Sequence, residues 1–362
     1  MRGVYTAAFL DRLTSQQAKI NGGEELDLGL GFNLIVGTST GAIIGCAAAV
    51  GCQPEKVVEL YRVHGSKIFP HRIGGKLSAV YHAFNSRRFV RKGDVALRTA
   101  LADVLGEITM LDVFQKRGIS LSVPTIRMAT HRAWVFKKTP QSGVRDDNYS
   151  LVDVCMASSA APIYRSLASV EDPNSNSGVD QVFADGGLWA NNPVMVAMVD
   201  AISMSDDDQP IEIYSLGTCP RPEGEHIYGD DVHRSLMEWK LGADVGPLAI
   251  AAQEFAYDNM ARLLANQLSK TGRSVRIIRF PRMNIPASMM PFLALDDTRE
   301  EAVNRLIEQA HTDADMTRSA CDDPRNEDGQ LIKALLDSLP KREARNVLVD
   351  QQNTSSHRVV KT

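Results

Sequence analysis

A serine between two glycines, Gly37-Thr38-Ser39-Thr40-Gly41, and an aspartate ahead of two more, Asp185-Gly186-Gly187, carry the chemistry this 362-residue sequence suggests. The first run has the GxSxG spacing of a nucleophile elbow, a sharp strand-to-helix turn that projects the serine hydroxyl from a sheet. Gly37 and Gly41 are expected because side chains there would collide in so tight a turn. The helix that follows would aim its positive end, and the Thr40 N–H, at a developing oxyanion. A serine nucleophile needs a base. Asp185 closes the apolar run "QVFAD", and a carboxylate at a strand's carboxyl edge is where ligands bind in open α/β sheets. Gly186 and Gly187 would let the backbone turn there without blocking a neighbouring loop. Each motif alone also reads as a plain glycine turn. A Ser–His–Asp hydrolase is the mechanistic rival, and His226, His233, His311 and His357 follow Asp185 in the chain order it requires. None of the four sits in a strand-end or glycine-marked context.

The elements that must hold these residues follow from periodicity. "GFNLIVG" (31–37) is a short apolar run ending in glycine, as a buried strand does, and "STGAIIGCAAAV" (39–50) is a small-residue helix in which Gly41 and Gly45 would allow close approach to the sheet. Val4, Tyr5, Ala8, Phe9 and Leu13 share one face of a helix near residue 1. Further helices are expected at 53–64, 94–105, 150–164, 193–202, 247–268 and 298–315, and strands at 119–126, 133–139, 181–185, 211–217 and 274–280. Asn192 with Pro193 reads as a helix cap and first position, and Thr298 with Glu301 as a capping box. The alternation predicts an α/β fold with a largely parallel sheet. One domain is expected over 1–315, with 316–362 a polar, partly disordered extension.

A net charge of −4 and a pI near 6.1 make no case for a nucleic-acid polymer. Cys46, Cys52, Cys155, Cys219 and Cys321 form no CxxC pair, which suggests neither a disulfide framework nor a zinc site and fits a reducing compartment. No apolar stretch is long enough to span a bilayer and no signal peptide is evident, so a cytoplasmic protein is expected. Contact with the inner membrane face remains open. From Arg62 to Lys92 there are eight Lys or Arg, no acidic residue, and Phe69, Tyr81, Phe84 and Phe89 interleaved. That stretch suits anionic lipid headgroups, or else is a solvated loop. "IPASMMPFLAL" (285–295) reads as acyl channel, lid or ordinary core.

GTSTG at 37–41, ASSAAPIY at 157–164 and DGGLWANNP at 185–193, in that order, resemble the patatin-like phospholipases, as do "FNLIVGTSTG" and "YSLGT". The resemblance covers roughly residues 1–315 and implies a three-layer α/β/α fold and a Ser–Asp dyad. In that dyad Ser39 attacks a phospholipid or lysophospholipid ester and Asp185 carries the proton, with no metal or cofactor. ASSAAP would support the dyad. The family's opening strand leads into DGGGxRG, whose glycine N–H groups form the oxyanion hole. This sequence opens at the x, so Arg2, Gly3 and Thr40 are the matching oxyanion residues. The strand and the DGGG would lie ahead of a start assigned too late, and a chain without them would be crippled in catalysis. Two alternatives stand beside the acyl hydrolase. One is an effector phospholipase of bacterial anti-phage defence switched on by a cyclic dinucleotide; the other is a non-catalytic lipid-binding protein. The sequence does not set the oligomeric state.

Overall fold

The computed structural model describes residues 2–70, 75–175, 178–219, 224, 226–281 and 285–349, with the backbone alone over 75–85. The first helix, α1 (Gly3–Ile20), buries the apolar face its periodicity marks, from Val4 to Leu13. Strand β1 (Leu34–Val36) enters the GxSxG turn and α2 (Thr40–Ala49) leaves it. Next come α3 (Pro54–Ile68), α4 (Gly75–Leu105) and α5 (Met110–Arg117). A hairpin of β2 (Ser120–Arg127) and β3 (Arg132–Lys138) is followed by α6 (Leu151–Ser158). Strands β4 (Ala168–Val170) and β5 (Gln181–Asp185) lead to α7 (Gly187–Ala190) and α8 (Val194–Met204). The chain continues through β6 (Ile211–Leu216), α9 (Val245–Lys270), β7 (Val275–Phe280), α10 (Glu300–Asp322) and α11 (Glu327–Ser338).

Helices α2 and α6 pack on β1, β2 and β5, while α7, α8 and α9 pack on β1, β2, β6 and β7, a layering consistent with a three-layer α/β/α fold. The expectation of a mainly parallel sheet holds only in part. β1 runs parallel to β2, but β3 and β5 pair antiparallel with β2, and β4 antiparallel with β5. For β2 with β3 and β4 with β5 the reason is connection length. Residues 128–131 between β2 and β3 and residues 171–180 between β4 and β5 are too few for the crossover that parallel neighbours need. The other parallel pair, β6 with β7, forms a separate two-stranded sheet. Helix α8 packs on both β1 and β6, and a cleft runs between these two strands.

Two caps differ from expectation. Asn192 does accept from the Val194 N–H (3.2 Å), but the helix begins at Val194, one residue past Pro193. Thr298 caps nothing: α10 starts at Glu300, and Asp297, fully buried, takes the Arg299 N–H at 3.2 Å. Helix α10 then runs on to Asp322, past the expected end at 315. It packs Leu306, Ala310 and Ala314 into the same core that Ile332 and Leu336 of α11 enter. Tyr5 donates to the buried Asp313 at 2.5 Å, tying α1 to α10.

Candidate active site

Ser39 sits at φ 55°, ψ −119°, a left-handed conformation that a side-chain-bearing residue holds only where its surroundings impose it. Three contacts impose it here. A Cβ on Gly37 would lie 2.2 Å from the Gly41 carbonyl oxygen, so glycine alone lets the turn close. The Ser39 N–H donates to Ser158 Oγ at 2.9 Å, and Ser158 in turn donates to the Pro124 carbonyl of β2 at 2.7 Å. Thr38 Oγ1 donates to the Ala190 carbonyl at 2.7 Å, fastening the elbow to α7. Gly41 differs from expectation: a Cβ there would meet open space, so local crowding does not demand it. Of the two helix glycines, Gly45 is the one that brings α2 against the sheet, since its Cβ would stand 2.9 Å from Ile35 Cγ2.

Asp185 ends β5 opposite Thr125 of β2. Its N–H donates to the Ala160 carbonyl at 3.0 Å, and the Gly186 N–H to the Ser158 carbonyl at 3.2 Å, so the ASSAAP turn holds this strand end as well as the elbow. Gly186 has no room for a Cβ, which would fall 2.2 Å from the Pro124 carbonyl oxygen. Both carboxylate oxygens are engaged. Oδ1 accepts from the Gly187 N–H at 2.6 Å, and Oδ2 accepts from Ser39 Oγ at 2.7 Å. Burial raises the Asp185 pKa from 3.8 to about 6, against the opposing pull of the Gly187 and Ser39 hydrogen bonds and the Arg165 charge. A serine hydroxyl donating to a carboxylate poised near neutrality can pass it a proton as the oxygen attacks an electrophile.

Around this pair lies a cleft of about 470 Å³ that Arg2, Thr40, Tyr61 and Arg165 help to line. The Thr40 N–H opens α2 and donates to no described group, which leaves it available to an anion. Gly3 abuts Thr40: a Cβ there would be 2.9 Å from Thr40 Cβ and 2.5 Å from the Tyr61 hydroxyl. That hydroxyl is buried with no hydrogen-bond partner among the described residues. Arg165, buried, pairs with Asp94 of α4 at 2.6 Å. Among the described residues no cluster of His, Cys, Asp or Glu could hold a metal ion.

The sequence model of the patatin-like phospholipase family matches residues 1–198, more than half of the chain. The chain belongs to that family. A "cGAMP-activated phospholipase" of Vibrio cholerae serotype O1 is 28% identical over 323 residues, covering 84% of this chain and 85% of the relative. A "cUMP-AMP-activated phospholipase" of Escherichia coli is 27% identical over 202 residues, covering 53% of this chain and 55% of the relative. "Patatin-like protein 1" of Oryza sativa subsp. indica is 25% identical over 303 residues, covering 76% and 71%.

In this patatin-like chain the remaining sequence candidates fall as follows. No histidine is among the described residues lining the cleft, and His357 lies outside the described residues. Where described, the basic stretch is helical except at Phe69 and Pro70, rather than one loop. Arg87, Arg88, Arg91 and Lys92 are exposed on α4, Phe69 lines the cleft, and the side chains of Tyr81 and Phe84 lie outside the described residues. Met289 and Leu293 belong to the main core and Leu295 rims the cleft. Among the described residues no disulfide joins any of the five cysteines. Sequence reasoning singled out neither Tyr61 nor Arg165, since a tyrosine in a helix and an arginine after a turn carry no motif.

Proposed function

We propose that this protein is a lipid acyl hydrolase that cleaves phospholipid or lysophospholipid esters with Ser39 as nucleophile and Asp185 as its base. The carrying observation is the 2.7 Å hydrogen bond from Ser39 Oγ to a carboxylate buried enough to hold a proton near neutral pH. Ser39 Oγ forms a bond to the ester carbonyl carbon while its proton moves to Asp185 Oδ2. The tetrahedral oxyanion is met by the Thr40 N–H and the positive end of α2, beside Gly3 and Arg2. Collapse breaks the carbon–oxygen bond to the alcohol, which leaves with the proton from Asp185. Water then repeats the sequence on the acyl-serine, releasing the fatty acid and restoring the serine hydroxyl. The test is fatty-acid release by the unaltered chain and by Ser39→Ala and Asp185→Ala. Both variants are expected to lose at least about 10³-fold in kcat, and equal activity in all three would remove the claim.

A second reading is regulatory. Relatives named for activation by cGAMP and cUMP-AMP support a cyclic dinucleotide as activator of the same hydrolase, as in an anti-phage effector. Calorimetry with both nucleotides tests it, and absence of binding to either would count against it. Action on lipids at the cytoplasmic membrane face fits the observation that no described helix is long and apolar enough to cross a membrane.

A further inference from the structure

Among the described residues that line the cleft the arginines are Arg2, Arg165 and Arg279, and only Arg165 is buried. A guanidinium taken out of water needs acceptors for all of its N–H groups. Arg165 is satisfied along one edge only. Its Nε and Nη2 both donate to Oδ1 of Asp94 on α4, at 3.0 and 2.6 Å, and Nη2 also lies 3.8 Å from Met156 Sδ. Nη1 donates to no described residue. Nor is Nη1 among the atoms sealed in the interior without a partner, so its edge opens on the cleft that Arg165 lines. A second donor stands near it. Tyr61 lines the cleft as well, and its buried hydroxyl has no partner among the described residues. Burial pushes the Tyr61 pKa up and the Arg165 charge opposes it. The same guanidinium opposes the burial that raises Asp185, so it lies within electrostatic reach of tyrosine and base alike. Two donors without acceptors, one of them charged, mark a place for an anion at this end of the cleft.

We propose that Arg165 is the phosphate-binding residue of this cleft, its Nη1 donating to an unesterified oxygen of the phosphodiester in a glycerophospholipid whose acyl ester lies at Ser39. The assignment rests on the hydrolase reading for the ester, and adds to it a reason for choosing a phospholipid over a neutral glyceride. Only the glycerol backbone separates the phosphorus of such a lipid from its ester carbonyl. A cation that selects the one must therefore stand close to the groups that attack the other, as Arg165 does. Arginine suits the task because it stays charged and its planar N–H groups match phosphate oxygens. Asp94 makes it a fixture. By holding Nε and Nη2 it fixes the guanidinium plane, so Nη1 is in place before the lipid arrives and little ordering is left to be done on binding. A free phosphate ion offers the same oxygens, and the test separates the two.

The test compares kcat/KM for a short-chain phosphatidylcholine and for the diacylglycerol with the same acyl chains. It uses the unaltered chain, Arg165→Lys, Arg165→Gln and the double variant Asp94→Asn/Arg165→Gln. The double variant is needed because Arg165→Gln alone strands the Asp94 carboxylate and can unfold the chain. Whatever a change at Arg165 costs through Asp185, it costs both esters, so the ratio of the two kcat/KM values reads the phosphate contact. That ratio should favour the phospholipid in the unaltered chain and fall about tenfold or more in the double variant. It should fall less in Arg165→Lys, which keeps the charge. A ratio that the double variant leaves unchanged would overturn the proposal. A second measurement needs no turnover. Glycerophosphocholine should raise the melting temperature of the unaltered chain and of Ser39→Ala, but not that of the double variant. No rise in the unaltered chain, or an equal rise in all three, would overturn the proposal. If inorganic phosphate gives the same Arg165-dependent rise while the substrate ratio does not move, the site serves free phosphate and the lipid assignment falls. A chain that hydrolyses neither ester but is stabilised by glycerophosphocholine through Arg165 refutes the hydrolase reading and leaves the phosphate site standing.

Discussion

Asp185→Asn should abolish hydrolysis and yet stabilise the fold at neutral pH. The carboxyl has a pKa of about 6 in the folded chain, raised from 3.8 by burial. Between those two values the folded state binds more protons than the unfolded state, so stability falls as pH rises through the window. Below 3.8 both states are protonated and the penalty is absent. Above about 6 both are ionised and it is complete. At about 1.4 kcal/mol per pH unit, the ionised form costs the fold about 3 kcal/mol. Asparagine has nearly the same shape. Its Oδ1 can keep the Gly187 N–H, and its amide can donate to Ser39 Oγ where the carboxylate accepted. What it removes is the buried charge. An unfolding entropy of about 2.1 cal/mol/K per residue over 362 residues converts about 3 kcal/mol into a rise of roughly 4 °C. Thermal unfolding of both proteins from pH 4 to pH 8 reads this directly. The gap in melting temperature should open as pH rises through about 6 and close toward pH 4. A gap that does not change with pH, or an asparagine variant less stable at pH 8, would refute the reasoning that burial of this carboxylate is what tunes it.

The same raised pKa has a kinetic counterpart: the base must be ionised, so kcat/KM for a soluble ester should climb to a plateau with an inflection near pH 6 and fall below it, and a rate flat down to pH 4.5 would exclude Asp185 as the base. Ser158→Ala strips the partner from the Ser39 N–H and from the Pro124 carbonyl. It should cost about 1–3 kcal/mol in denaturant unfolding and lower kcat more than it raises KM. Gly37→Ala drives a methyl to 2.2 Å from a backbone oxygen and should destabilise by about 3 kcal/mol or more, whereas Gly41→Ala, facing open space, should change unfolding by under about 1 kcal/mol.

How legible the molecule was in its sequence depends on what each residue answers to. Ser39, Asp185 and the turn at 157–162 lie next to one another in the fold because three motifs each encode a local backbone feature, and glycine where no Cβ fits is a feature that sequence spells out. Gly37 and Gly186 are of this kind. Tyr61 and Arg165 are not: they reach the cleft through the packing of α3 on α1 and the pairing of Arg165 with α4, contacts set by distant segments. Helix α5 was missed although its signal was present. Thr109 and Asp112 form a reciprocal capping box, but the helix behind it is only eight residues long, half of them polar or charged, and too short to stand out. Strand β4, three residues, carries no pattern at all. The parallel reading of the sheet failed where loop length rather than periodicity decides direction.

The strained serine and the buried aspartate solve one problem from opposite sides. A carboxylate in water, with a pKa near 4, is a poor match for a serine proton, and a serine in relaxed backbone would not project from its sheet. Ser158 links the two. Its hydroxyl takes the Ser39 N–H, its carbonyl takes the Gly186 N–H, and it bonds to the β2 carbonyl at Pro124. A shift of α6 would therefore move nucleophile and base together rather than apart. The distance between them is buffered against motion of that helix, while the Asp185 pKa, which depends on how well α7 and Arg165 close around it, is not. Perturbations of the surrounding shell should then change the pH at which this site works before they change whether its two side chains meet.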